Sequence, residues 1–227
     1  MLKGDSNSGS YRNQNRPFFL YFCAMTDKKI LLFDMGGVLL NINYQLTINA
    51  FEKLGIDNFD QMYSQADQSG LFDKIEKGEI SSFEFINGLL DYLPKNCSAN
   101  NVVHAWNAML LDFPLERLTF LENLSKTHTL YLLSNTNEIH VEKALRILKE
   151  VTDKPLDQYF TKIFWSHELG DRKPHGSAFQ KVLDTIDTKA EEVLFVDDSL
   201  QHVEGARSIG IEAVHLQGEI MSHPSFS

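Results

Sequence analysis

The feature that most restricts the fold of this chain is an alternation beginning at Lys28, in which short apolar runs each end in polar or glycine residues and amphipathic stretches separate them. The first run, Ile30-Leu31-Leu32-Phe33, is flanked by charge and closes on Asp34-Met35-Gly36-Gly37. Such a run suits a strand buried on both faces, and the paired glycines suit a tight loop. Similar runs recur at 129–133, 162–165, 193–196 and 212–216, with amphipathic stretches at 138–150, 177–186 and 201–209 between them. Strands alternating with helices imply βαβ units, hence an α/β, Rossmann-like parallel sheet with helices on both faces and right-handed crossovers.

The alternation fails between Asn41 and about Asp112. Apolar residues there recur at helical spacing, as in Ile48, Phe51 and Leu54, and again in Phe83, Ile86, Leu89 and Leu90. Helices are expected over roughly 43–54, 58–68, 81–92 and 98–110, with no strand among them. A helical block of this length after the first strand is too long for a loop, so it reads as an inserted all-helical subdomain. The expected organisation is a core of 27–41 and 112–221, an insertion over 42–111 and an N-terminal extension over 1–26. That extension is polar and lightly basic before a short apolar run, and Met25 is the expected natural start. A signal peptide with a very short apolar region is the alternative.

The net charge of −10 argues against a nucleic-acid partner, which would need a basic face. No apolar run is long enough to span a bilayer. Cys23 and Cys97 are the only cysteines, which points to a reducing, cytoplasmic setting rather than a disulfide framework. The Asn-x-Ser sequons at Asn96 and Asn123 are read as chance.

In open parallel sheets, ligands bind beyond the carboxyl ends of the strands. The residues that follow the strands here are Asp34, then Ser134-Asn135-Thr136-Asn137, then 166–173 ending in Lys173, then Asp197-Asp198-Ser199. Carboxylates converging on one crevice repel unless a cation sits among them. Asp34 and Asp198, with a backbone carbonyl and waters, offer Mg²⁺ the hard-oxygen octahedron it prefers. One oxygen of Asp34 would remain as a nucleophile, and its attack on a phosphate would give an acyl phosphate that water hydrolyses. Lys173, Ser134 and backbone N–H groups at a helix start would hold phosphate oxygens. Each residue alone has a plainer reading: Asp34 as a turn former, Asp197-Asp198-Ser199 and Ser134-Asn135 as helix caps, Lys173 as a loop residue. Their occurrence together, in order, at one sheet edge argues against that.

These residues resemble the four motifs of the haloacid dehalogenase-like hydrolases, most of whose members are phosphatases. Phe33-Asp34-Met35-Gly36-Gly37-Val38 resembles the first motif and Leu133-Ser134-Asn135-Thr136-Asn137 the second. Arg172-Lys173-Pro174 resembles the third and Val196-Asp197-Asp198-Ser199 the fourth. The resemblance covers about 28–217. It implies Asp34 as nucleophile, with Lys173 beside it. Ser134, Asn135 and Lys173 would contact substrate, and Asp34, the Gly36 carbonyl, Asp197 and Asp198 would surround Mg²⁺. The helical insertion resembles the family's cap, which covers the site and selects a small phosphorylated substrate.

Two departures stand out. Phosphatases of this type carry a second Asp, a general acid and base, where this chain has Gly36. Such help is typically worth roughly 10²–10⁴ in rate, or about 3–5 kcal/mol of barrier. The Gly-containing first motif is similar to the α-glucose-1-phosphate phosphatase branch, whose leaving group is a hemiacetal, so a sugar phosphate is the expected substrate class. The second departure is His202, which would supply the missing acid, stand beside the metal, or lie on a helix surface, the reading preferred here. Two rivals remain open: a metal-independent 2-haloacid dehalogenase and a catalytically degenerate binding module. In the insertion, Phe72, Asp73, Trp106, Asn107 and Met109 are substrate-contact candidates, the apolar ones more often core. The remaining histidines, at 104, 128, 140, 167, 175, 215 and 223, read as structural or surface residues.

Overall fold

The computed structural model describes residues 27–60 and 70–226. The expected N-terminal extension, and most of the helix expected over 58–68, lie outside the described residues.

Five strands, β1 (Ile30–Phe33), β2 (Thr129–Ser134), β3 (Lys162–Trp165), β4 (Val193–Asp197) and β5 (Glu212–His215), form one sheet in the order β3-β2-β1-β4-β5. Every pairing is parallel, and β1 sits at the centre with Phe33 opposite Leu132 and Val196. The strands read as continuous apolar runs because each one feeds two cores. Leu31, Phe33, Leu130, Leu132, Leu194 and Val196 face one side, while Leu32, Leu133, Val193 and Phe195 face the other. Side chains on a strand alternate between faces, so both must be apolar when helices cover both.

Among the described residues, four helices fall between β1 and the rest of the core: α1 (Tyr44–Leu54), α2 (Leu71–Glu76), α3 (Ser82–Leu90) and α4 (Ala99–Asn107). Then come α5 (Leu115–Leu124), α6 (Glu138–Val151), α7 (Ser166–Leu169), α8 (Gly176–Ile186) and α9 (Leu200–Arg207). Helices α5 and α6 pack on the face shared with the insertion, and α8 and α9 on the opposite face. The starts of α3 and α4 are set by reciprocal capping boxes, Ser81 with Glu84 and Ser98 with Asn101. Asn43 caps α1, which ends at Gly55 in the left-handed region at φ 106°. The short α2 and α7, and α5, were not anticipated from the sequence pattern.

The insertion is not set apart by a polar seam. Phe51, Phe59, Phe72, Phe85 and Trp106 belong to the same buried cluster as Leu31 and Phe33 of β1. Its two connections to the core run side by side: Asn41 N–H donates to Asp112 O (2.9 Å), Leu111 N–H to Asn41 O (3.0 Å) and Asn43 N–H to Met109 O (2.8 Å). Ile42 and Leu110 form an antiparallel bridge between them.

Candidate active site

Because all five strands are parallel, their carboxyl ends lie on one edge, and the expected polar residues meet there. Asp34 leaves β1 with its N–H donating to Val196 O at 2.9 Å, which pins it against β4. The chain then turns tightly, with Leu39 and Leu40 N–H both donating to Met35 O and Gly37 N–H to Leu40 O. Gly37 sits at φ +73°, and a Cβ there would stand 2.0 Å from Asp198 Oδ2. The glycine is therefore required both by its backbone conformation and by the approach of Asp198.

Lys173 is wholly buried, and its Nζ lies 2.8 Å from Asp34 Oδ1 and 2.7 Å from Asp197 Oδ2. Burial works against its charge, but Asp197 and Asp34 outweigh it and hold the ammonium above the ordinary lysine range. Asp197 is occupied all round: Oδ1 accepts from Ser199 N–H (2.8 Å), and His202 Nδ1 stands 3.0 Å from Oδ2. Burial alone would raise Asp197, yet Lys173 and His202 bring it down to about 2. Asp34 goes the other way: burial pushes it to about 6 against the pull of Lys173, with Asp197 adding to the rise. Asp198 is also raised, by burial and by Asp197.

Oxygens of Asp34, Asp197 and Asp198 lie within 4.8 Å of one another. Three carboxylates so close, two of them raised by burial and by the third, Asp197, suit a hard divalent cation. Asp34 and Asp198 are the members with oxygens to give, since Lys173, Ser199 and His202 already occupy Asp197. Gly36 lines the same cavity, and its carbonyl is the further oxygen expected there.

Ser134, the last residue of β2, is buried and lines the cavity. Asn135 also lines it, but its amide faces the main chain of Lys173 in both directions. Oδ1 accepts from Lys173 N–H at 2.9 Å, and Nδ2 donates to Lys173 O at 2.8 Å. The side chain expected to touch substrate thus holds the lysine. Beyond it, Asn137 caps α6 by accepting His140 N–H. The ring of His140 stacks on Trp106 of α4 with centroids 4.5 Å apart, and its Nε2 lies 3.1 Å from Trp106 O. Burial drives His140 down to about 4, so it stays neutral, with Nε2–H donating and Nδ1 facing Asn137 Nδ2.

The cavity has a volume of about 340 Å³, a size suited to a single small metabolite. Met35, Leu40, Ile42, Met109 and Leu110 supply apolar lining, while Tyr44, Glu76, Arg172 and Gln201 supply polar groups. Tyr44 is half exposed as a residue, yet its phenol is raised by burial of the hydroxyl end and by Asp34, Asp198 and Glu76. Arg172 crosses from the core to α2: Nη1 reaches Asp73 Oδ1 at 3.3 Å and Nε reaches Glu76 Oε2 at 3.1 Å.

Of the five insertion residues singled out from sequence, Met109 lines the cavity, whereas Phe72 and Trp106 are core. Asp73 is buried in the ion pair with Arg172, and Asn107 is not among the lining residues. The preferred placement of His202 on a helix surface is corrected: its side chain is 18% exposed and turned onto Asp197, because Asp197 accepts hydrogen bonds from both the loop and the first turn of α9. Tyr44, Glu76 and Gln201 were missed; His215, expected as a structural or surface residue, meets Asp198 O through Nε2 at 3.0 Å.

A D-ribitol-5-phosphate phosphatase from Bacteroides thetaiotaomicron is 30% identical over 184 residues, covering 81% of this chain and 89% of its own. A HAD family enzyme from the same organism, solved in complex with magnesium and inorganic phosphate, has a TM-score of 0.80 at 32% identity, covering 86% of this chain and 98% of that one. A structure described as a predicted HAD-like family hydrolase from Porphyromonas gingivalis has a TM-score of 0.77 at 30% identity, with coverage of 86% and 94%. Residues 28–210 match the haloacid dehalogenase-like hydrolase family, and the chain, with its central Asp34, belongs to that family.

Proposed function

We propose that this protein is a Mg²⁺-dependent phosphomonoester hydrolase that acts on a small phosphorylated metabolite through an aspartyl-phosphate on Asp34. The observation that carries this reading is the buried Lys173, bonded at once to Asp34 and Asp197 with Asp198 alongside. Bound between Asp34 and Asp198, Mg²⁺ would offset the charge of an incoming phosphate. Lys173 holds Asp34 Oδ1 at 2.8 Å and so would orient the carboxylate that attacks. Ser134, which lines the cavity, would supply a donor to a phosphate oxygen. A 2-haloacid dehalogenase has no use for Asp198 beside its nucleophile, and a binding module has no use for so strained an assembly of charge.

The finer substrate reading rests on Gly36. With no carboxylic acid there to protonate the departing alcohol, the site favours esters whose alcohol leaves readily, and a sugar phosphate such as glucose 1-phosphate meets that need. The phosphatase relative from Bacteroides makes a pentitol phosphate the natural companion in a test panel. The deciding experiment is phosphate release from such a panel with and without Mg²⁺, repeated with Asp34→Asn. Loss of the nucleophile is expected to lower kcat by ~10⁴ or more while the fold persists. Retained activity in that variant, or full activity without metal, refutes the mechanism.

A further inference from the structure

We propose that the cavity selects phosphomonoesters whose alcohol part is uncharged and hydroxyl-bearing, and rejects substrates carrying a second anionic group, through the wall that Glu76 and Arg172 form between α2 and the core. This rests on the phosphatase reading above and narrows it.

The argument is one of charge. A second phosphate or a carboxylate on the substrate needs a cation with capacity to spare, since a desolvated anion without one is costly to bury. Among the described residues, the two cations at the site are both already divided between two carboxylates. Lys173 is shared by Asp34 and Asp197, and Arg172 by Asp73 and Glu76. Lys77, which does not line the cavity, is likewise shared, between Asp73 and Glu79. Asp198 adds another carboxylate to the cavity. A divalent cation and a phosphate dianion cancel one another, so a loaded site keeps its excess of acids over bases. His140 adds no charge, being neutral in its bonds to Trp106 and Asn137, and His202 is turned onto Asp197.

What remains around the non-phosphate end are groups that bind hydroxyls. The Tyr44 phenol keeps its proton, Gln201 carries an amide, and the Glu76 carboxylate accepts from alcohol O–H. Apolar lining from Ile42, Met109 and Leu110 suits the C–H face of a short polyol or sugar. Glu76 has two effects in this arrangement. It accepts hydrogen bonds itself, and it ties up the Arg172 guanidinium that would otherwise recruit an anion.

The test uses substrate pairs that differ by one anionic group, assayed with the full-length protein and Mg²⁺: glucose 6-phosphate against 6-phosphogluconate, glycerol 3-phosphate against 3-phosphoglycerate, and fructose 6-phosphate against fructose 1,6-bisphosphate. The neutral member of each pair is expected to lead in kcat/KM by ~100-fold. Glu76→Gln is expected to narrow that lead by ~10-fold by releasing Arg172, while Glu76→Asp, which keeps the charge, preserves it. Heat melts establish that both variants fold. Equal or better turnover of the charged members overturns the inference, as does a lead that Glu76→Gln leaves intact. Silence on every pair and on p-nitrophenyl phosphate overturns the phosphatase reading itself, and the inference with it.

Discussion

His140 gives a measurable link between α4 and the start of α6. Its ring is buried between Trp106 of α4 and the Asn137 cap of α6, and burial lowers it from 6.5 to about 4. The unfolded chain therefore binds a proton on this residue at a pH where the folded protein does not. Stability from this group is whole above the unfolded value and is lost as pH falls from 6.5 through 4. At about 1.4 kcal/mol per unit, the full span is worth about 3 kcal/mol, of which ~2.5 kcal/mol is gone by about pH 4.5. The perturbation is His140→Gln, whose amide can still donate to Trp106 O but does not titrate. Urea unfolding of both proteins at about pH 7.5 and about pH 4.5 isolates this residue, because every other titrating group is common to the two. The natural protein is expected to lose ~2.5 kcal/mol more than the variant on acidification. Equal losses would show that His140 is charged or exposed in the folded state, and the account of its packing would fail.

Three further outcomes follow from the site. Gly37→Ala forces a methyl group to 2.0 Å from Asp198 Oδ2 at a backbone φ of +73°. It is expected to displace Asp198 and raise the Mg²⁺ concentration for half-maximal activity at least ~10-fold, read by metal titration. Asn135→Ala leaves the main-chain N–H and C=O of the buried Lys173 unpaired and is expected to lower kcat by ~10–100-fold and to lower the melting temperature as well. A rise in KM alone would instead make Asn135 a substrate contact. If Asp34, raised to about 6, is the proposed nucleophile, it must be ionised to attack, so activity at low Mg²⁺ is expected to fall below about pH 6. Saturating Mg²⁺ should move that acid limb to lower pH, and an unmoved limb would exclude Asp34 as a metal ligand.

The sheet and the polar edge at its strand ends were legible in the sequence because their physical demands leave a local mark. A strand buried on both faces must be apolar throughout, so the β1 and β4 runs stand out, and the polar residues just after them fall on one edge by topology alone. Helix α5 was not read because its apolar side is poorly separated, with Leu115 55% exposed at its start. Helix α2 is too short, at Leu71–Glu76, for a period to register. The polar wall was illegible for another reason. Arg172 meets Asp73 and Glu76 across nearly a hundred residues, and nothing local to either partner marks the pairing. Asn135 lines the cavity beside its neighbours, but the direction its amide faces depends on a loop 38 residues away.

The paired connections at Asn41–Asn43 and Met109–Asp112 have an evolutionary consequence. Asn43 N–H touches Met109 O at 2.8 Å, so the whole insertion leaves and re-enters the core through one doorway. Exposed loops beyond that doorway can change length at little cost, but the buried side chains Phe51, Phe72 and Trp106 can change only together with β1 and α6, whose core they share. The wall carrying Glu76 is bound by the same constraint, since it pairs with Arg172, the residue next to Lys173.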